Sequence, residues 1–342
     1  MFNKIKPVVS AEMARSCVPM PEGLIKQRNI TLNEISDIIT GKDKRKLFIV
    51  GPCSADNIDA ACDYAERLAR IAERIKDKAY IVMRAYTCKQ RTRGEGYMGL
   101  LHSPDPMSAN VDLDAGLIAS RRLHIRIASV GIFTADEIVY PQTVNYLEDV
   151  LCYASIGARS SESQVHRFAA SGLDMPVGIK NPVGGSLSDL INGIHAVRMK
   201  NIFMLDGMQV ETSGNASAHA VLRGAVDKNG AYIPNFGYDS VMSLYALYNK
   251  FKLSDPAVII DAGHANSGKR PEKTAEIVSE VLDYARRDRD CDGFVKGFMF
   301  ESYLKDGNCD GYYEYGKSIT DPCLGWEKTE RLLLSAADKI DA

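Results

Sequence analysis

The sequence predicts a (β/α)₈ barrel over residues 46–342, preceded by an N-terminal extension over 1–45 and interrupted by an insertion around 206–238. Three observations predict it. Eight short β-rich apolar runs alternate with amphipathic helical stretches. Several of those runs are continuously apolar, as parallel strands covered on both faces are. The segment after the extension is also long enough for such a barrel, which typically takes about 250 residues. A doubly wound open sheet alternates strand and helix in the same way, so periodicity alone leaves it as the competing α/β reading.

The strand candidates are KLFIVG (46–51), YIVMRA (80–85), SVGIFT (129–134), SIGA (155–158), PVGIK (176–180), NIFML (201–205), AVIIDA (257–262) and FVKGFMF (294–300). Helical stripes fall between them. Tyr64, Leu68, Ile71 and Ile75 form one, and Leu190, Ile191, Ile194 and Val197 another. Ile277, Val278, Val281, Leu282 and Ala285 form a third. There is no internal repeat, no low-complexity tract and no Pro/Gly/Ser-rich linker that would demand a second domain.

Bulk properties exclude several function classes. A formal net charge of -2 gives no global basic field for nucleic acid or an acidic membrane, so anion binding must come from a local cluster. No apolar run approaches the roughly 20 residues of a membrane helix. The start of the chain lacks the apolar core and cleavage site of a secretory signal. Eight scattered cysteines without CxxC pairs read as mostly reduced and structural, so a cytoplasmic location is expected.

Chemistry-bearing residues gather at predicted strand ends. Cys53 follows the first strand, Arg84 lies at the end of the second, and Arg159 follows the fourth. Lys180 ends the fifth, His264 follows the seventh and Glu301 the eighth. In a barrel these positions share one rim, where such enzymes build their active sites. Arg84, Lys89, Arg91, Arg159, Lys180 and Arg223 would converge there. Cations that converge repel one another, so the cluster makes sense when anions fill it, and Arg forks match carboxylate and phosphate oxygens. Taken alone, Arg223 reads as a solvated surface charge. The thiol of Cys53, the imidazole of His264 and the carboxylate of Glu301 suit a borderline divalent transition ion better than Mg²⁺ or Ca²⁺. Cys53 alone also reads as a small buried apolar residue, and Glu301 as the partner of a rim cation.

At these residues the chain resembles the type I 3-deoxy-D-arabino-heptulosonate 7-phosphate (DAHP) synthases. The matching segments are GPCS (51–54), VMRAY with KQRT (82–92) and IGARSSESQVHRFAASGLDMPVGIKN (156–181). They continue through TSGN (212–215), LRG (222–224), DAGHANSGK (261–269), ES (301–302) and GKSITDPCLGWEKTE (316–330). The resemblance implies a homodimeric or homotetrameric barrel enzyme that condenses phosphoenolpyruvate with D-erythrose 4-phosphate, the first step of the shikimate pathway. It implies one divalent ion (Mn, Fe, Co or Zn) on Cys53, His264, Glu301 and Asp321. Phosphoenolpyruvate would meet Arg84, Lys89, Arg159, Lys180 and Arg223, and the aldose phosphate Arg91 and Thr92. Lys89, Lys180 and a glutamate would serve the chemistry. That glutamate is Glu137 if a gap of about three residues follows TADE; otherwise Thr134 stands in its place.

The chain departs from the family pattern in three places. Gln90 replaces a proline in the KQRT loop, Ala55-Asp56-Asn57 replaces an Ile-His-Asp-like run, and Pro182–Gly185 replaces a polar turn. All three lie toward the expected aldehyde side. Two other readings therefore stand: the same chemistry on a different phosphorylated aldose, and a non-catalytic phosphometabolite-binding homologue.

Overall fold

The computed structural model describes residues 1–92, 94–108, 110–310 and 312–340. Its strands, in chain order, begin with β1 (Lys46–Gly51), β2 (Ala79–Arg84), β3 (Thr134–Glu137), β4 (Leu151–Ile156), β5 (Val177–Lys180) and β6 (Asn201–Leu205). They continue with β7 (Met208–Thr212), β8 (His219–Leu222), β9 (Ala225–Val226), β10 (Tyr232–Ile233), β11 (Val258–Asp261) and β12 (Val295–Glu301). Eight of them close a parallel barrel in the order β1-β12-β11-β8-β5-β4-β3-β2. Closure removes both sheet edges, and an open doubly wound sheet is excluded.

The barrel strands are almost wholly buried, as their apolar runs require. Phe48 of β1 stacks on Phe298 of β12 with centroids 5.5 Å apart. Tyr153 of β4 crosses Gly178 of β5, where any Cβ would collide with its hydroxyl, and reaches His219 Nε2 of β8 at 2.8 Å.

The helices are α1 (Ala11–Cys17), α2 (Glu22–Thr40), α3 (Ile58–Ile75), α4 (Leu113–Ala128), α5 (Val144–Leu147) and α6 (Gln164–Ser171). After them come α7 (Leu187–Arg198), α8 (Tyr238–Lys250), α9 (Thr274–Ala285), α10 (Arg289–Phe294) and α11 (Trp326–Lys339). The stripe read on α3 is its buried face, and Asn57 caps its start by accepting from Ala60 N. The expected extension forms α1 and α2. Arg28 of α2 donates to the Leu151 and Glu148 carbonyls at 2.8 and 2.7 Å and pairs with Asp174. Tyr80 donates to Thr31 at 3.0 Å. These contacts lay α2 across the N-terminal ends of β2 and β4, opposite the rim that carries the candidate residues.

One strand assignment is corrected. NIFML (201–205) is not the sixth barrel strand: it pairs antiparallel with β7 as a hairpin outside the barrel. Its burial alternates between half-buried and exposed, which a barrel strand's does not. The sixth barrel strand is β8, His219–Leu222. The stretch around 206–238, read as an insertion, holds β7, the sixth barrel strand β8 and the β9–β10 hairpin, so only the parts flanking β8 lie outside the barrel. Two other strands shift by several residues: the third is Thr134–Glu137 and the fourth Leu151–Ile156.

At the C-terminal rim, β1 and β2 run very close. A Cβ on Gly51 would collide with the Arg84 carbonyl oxygen. A Gly51→Ala protein is therefore expected to lose at least about 1–3 kcal/mol through overpacking, read as a lower urea midpoint. An unchanged midpoint would show that the two strands part there freely.

Candidate active site

Five of the eight barrel strands end on a charged residue: Arg84, Glu137, Lys180, Asp261 and Glu301. Because the strands are parallel, these side chains meet at one rim. Above it opens a cleft of about 890 Å³. Lys89, Arg91, Thr92, Glu137, Arg159, Lys180, Arg223, His264 and Asp321 all line it. Arg84, Cys53 and Glu301 lie beneath, each buried.

Arg84 is held from several sides. Its guanidinium donates to the Pro52 and Cys53 carbonyls at 3.1 and 3.2 Å and to Glu301 Oε1 at 2.8 Å. Lys180 Nζ stands 3.5 Å from Asp261 Oδ2 and 3.7 Å from Glu137 Oε2. Burial disfavours the Lys180 charge, but Tyr86, Asp261 and Glu137 outweigh it and raise its pKa. Burial likewise works against the Glu137 carboxylate, yet Lys180, Lys89 and Arg84 keep its pKa below the usual value. Asp261 is buried too, and His264 and Lys180 pull its carboxyl far below the ordinary range. Arg223 shows the opposite balance: burial lowers its pKa, and its buried Nη1 has no hydrogen-bond partner among the described residues. Such a guanidinium lacks an anion.

The remaining donors sit beside these cations. Ligand atoms of Cys53, Glu301 and Asp321 lie within 4.8 Å of one another. His264 stands next to this group, its Nε2 3.8 Å from Glu301 Oε1. Its Nδ1 faces Asp261 Oδ2 at 2.9 Å, without the alignment of a hydrogen bond. His264 takes a left-handed backbone, φ 50°, which is uncommon outside glycine. A buried thiol and two carboxylates so close repel as anions: burial first, then Glu301, pushes the Cys53 thiol up. A bound divalent ion would relieve that repulsion, and the thiol, imidazole and carboxylate set fits a borderline transition ion. Lys89 also reaches this group, donating to Cys53 O at 2.8 Å and Cys53 Sγ at 3.2 Å.

Comparisons with known proteins bear on this arrangement. A family model described as the DAHP synthetase I family matches residues 24–334. The chain belongs to that family. It is 36% identical over 315 residues to the Trp-sensitive phospho-2-dehydro-3-deoxyheptonate aldolase of Enterobacter agglomerans, covering 90% of this chain and 87% of that one. It is 33% identical over 340 residues to the Tyr-sensitive enzyme of Escherichia coli K12, covering 95% and 91%. Among solved structures, the phospho-2-dehydro-3-deoxyheptonate aldolase of Francisella tularensis SCHU S4 superposes with a TM-score of 0.92 at 29% identity. That match covers 99% of this chain and 98% of the other.

In this DAHP synthetase I family member, the choice between Glu137 and Thr134 has a geometric side. Glu137 ends β3 and faces Lys180 across the cleft. Thr134 begins the same strand, is fully buried, and bonds His124 Nδ1 at 2.9 Å. Only Glu137 is at the rim. Asp261, Lys269 and Tyr86 were not among the expected site residues. Asp261 ends β11, so the strand-end rule that found Lys180 applied equally to it. Lys269 Nζ pairs with Asp321 at 3.1 Å, through a loop whose fold the sequence does not reveal. Tyr86, the last residue of the VMRAY segment, carries no group of the charged or metal-ligating kinds that the strand-end reading gathers. In the KQRT loop, the Gln90 carbonyl accepts from Arg159 Nη1 at 3.0 Å. That acceptor is a backbone oxygen, which proline would also offer; what the substitution adds is a side-chain Oε1 that accepts from Ser160 Oγ at 3.4 Å.

Proposed function

We propose that this chain condenses phosphoenolpyruvate with D-erythrose 4-phosphate and water, giving DAHP and phosphate. Membership of the DAHP synthetase I family supports the reaction class. The observation that carries the reading is the cleft itself: Lys89, Arg159, Lys180 and Arg223 face one cavity above buried Arg84. These cations converge around the carboxylates of Glu137 and Asp321, and Arg223 keeps a buried donor with no partner among the described residues, an arrangement that suits a substrate carrying a carboxylate and a phosphate. Arg91 and Thr92, at the outer edge of the same cleft, would take the phosphate of the aldose.

Cys53, His264, Glu301 and Asp321 would hold one divalent ion, with Mn, Fe, Co and Zn all compatible. Bound there, it would supply Lewis-acid polarisation of the aldehyde carbonyl. The chain's own residues do the rest. The cation cluster binds phosphoenolpyruvate and aligns its C3 with the aldehyde carbon, a positioning effect that reaches about 7–11 kcal/mol in favourable cases. The C2–C3 π electrons form the new carbon–carbon bond, and the aldehyde C=O π pair moves to oxygen as an alkoxide, which ends as a hydroxyl when the proton of the attacking water reaches it through Glu137. Water then adds to electron-deficient C2. Lys180 stays charged and orients that water, while the ionised Glu137 carboxylate takes its proton. Phosphate leaves from C2 with its bridging oxygen, and the 2-keto product remains.

A Glu137→Gln protein is expected to lose about 10²–10⁴-fold in kcat while binding phosphoenolpyruvate normally. Wild-type turnover would remove Glu137 from the chemistry. The acceptor is tested by offering metal-loaded protein a panel of aldose phosphates while following the loss of phosphoenolpyruvate absorbance. Erythrose 4-phosphate should give the highest kcat/KM. A second reading, another aldose in a specialised pathway, is favoured by Gln90, whose side-chain Oε1 accepts from Ser160 Oγ at 3.4 Å, a contact the family's proline could not make. A different best acceptor in the panel would establish it. Assembly into a homodimer or homotetramer and a cytoplasmic location belong to the same proposal; no helix among the described residues is long and apolar enough to cross a membrane.

A further inference from the structure

The cations at the base of the cleft share one neighbour that accepts none of their protons. Tyr86 lies two residues beyond the end of β2 and is 1% exposed. Its ring centroid is 3.6 Å from the guanidinium carbon of Arg84, 5.5 Å from Lys180 Nζ and 5.8 Å from Lys89 Nζ. All three distances fall within the roughly 6 Å over which an aromatic face attracts a cation. The Tyr86 hydroxyl is engaged elsewhere, donating to Ser155 Oγ at 3.0 Å, with Met299 Sδ 3.7 Å away.

Ring and carboxylates act differently on these cations. Glu301 consumes an Arg84 donor outright, at 2.8 Å. Asp261 and Glu137 hold Lys180 from 3.5 and 3.7 Å. More carboxylates would gather the cations more firmly, but they would compete with an anionic substrate for the same N–H groups. An aromatic face attracts positive charge through its quadrupole and leaves those donors free. Desolvation strengthens that attraction, and Arg84 and Tyr86 are both buried. We propose that Tyr86 is a positioning residue of the phosphoenolpyruvate site: its ring face gathers Arg84, Lys89 and Lys180 without occupying any further N–H group, so that the donors not already bonded stay open to the ligand's two anionic groups. This rests on the functional reading above.

The test compares wild type with Tyr86→Phe, Tyr86→Leu, and protein carrying 3,4,5-trifluorophenylalanine at position 86. Phosphoenolpyruvate affinity is measured by calorimetry, and KM for each substrate is measured separately from kcat. Tyr86→Leu should weaken phosphoenolpyruvate binding by about 10–30-fold, with the KM for the aldose phosphate within twofold of wild type. Tyr86→Phe should recover most of that loss. The fluorinated ring, nearly the same shape with its quadrupole cancelled, should bind about as weakly as leucine. Equal affinities for the phenylalanine and trifluorophenylalanine proteins would overturn the proposal, even if the leucine variant failed to fold. Wild-type affinity in Tyr86→Leu would do so as well. Wild-type protein that binds no phosphoenolpyruvate at all would instead sink the functional reading, and this proposal with it.

Discussion

A Lys180→Met protein is expected to lose phosphoenolpyruvate binding and about 3–5 kcal/mol of stability together. The double loss follows from where Lys180 sits. Its ammonium stands between two carboxylates, Asp261 and Glu137, of which Asp261 is fully buried. Removing the cation leaves two negative charges facing each other in a water-poor pocket. The pH dependence has a definite sign. Both carboxyls have depressed pKa values in the folded protein. The stability they contribute is present above their unfolded values, about 4, and is lost as pH falls through the folded ones. Lys180, with its raised pKa, contributes stability that is present below its unfolded value, about 10.4, and is lost as pH rises through the folded one. The gap between wild type and Lys180→Met should therefore be widest from about pH 5 to 10 and should narrow below about 4. Urea titrations across that range measure it. A gap independent of pH would show that Lys180 is not the partner of these carboxylates.

The other large effect is expected at Cys53. A Cys53→Ala protein should lose at least about 10³-fold in turnover with every divalent ion, the equivalent of several kcal/mol of transition-state stabilisation. A chelator should do the same to wild type, reversibly, and metal analysis should show one ion per chain before treatment and none after. Phosphoenolpyruvate affinity should survive Cys53→Ala better than it survives Lys180→Met. Cys53 offers the cations only its carbonyl and sulfur, and alanine keeps the carbonyl that Arg84 and Lys89 use. Full turnover by metal-free protein would refute the assignment of Cys53, His264, Glu301 and Asp321 as ligands. Phosphoenolpyruvate binding without turnover toward any aldehyde, in metal-loaded protein, would instead revive the non-catalytic reading.

Much of this arrangement was legible in the sequence, because parallel topology turns strand ends into a list of rim residues. Arg84, Lys180 and Glu301 were found that way, and each ends a barrel strand. The sixth barrel strand was missed for a physical reason. His219–Leu222 is four residues long and opens on a histidine, whereas NIFML looks like a buried strand in any short window. Only the exposure of Ile202 and Met204 separates an outer hairpin from a barrel strand, and exposure is tertiary information. Glu137 was ambiguous because residue count, not pattern, decides which carboxylate reaches the rim. The Arg84–Glu301 pair had been foreseen only as the bland alternative for Glu301. One geometry accommodates both readings, since the carboxylate pairs with Arg84 and also lies in the Cys53–Asp321 group. Tyr86 closes the VMRAY segment, yet the sequence gives it no role, because an aromatic after a strand reads as core until the charges around it are placed.

The central claim is that this cleft joins phosphoenolpyruvate to a phosphorylated aldose through loss of phosphate from C2. It is tested most directly with phosphoenolpyruvate labelled with ¹⁸O at the bridging position, erythrose 4-phosphate and metal-loaded protein, with both products read by mass spectrometry. The expected result is a seven-carbon keto-acid phosphate and one phosphate per turnover, the label in the phosphate. Unlabelled phosphate, or phosphate released with no carbon–carbon bond made, would contradict it.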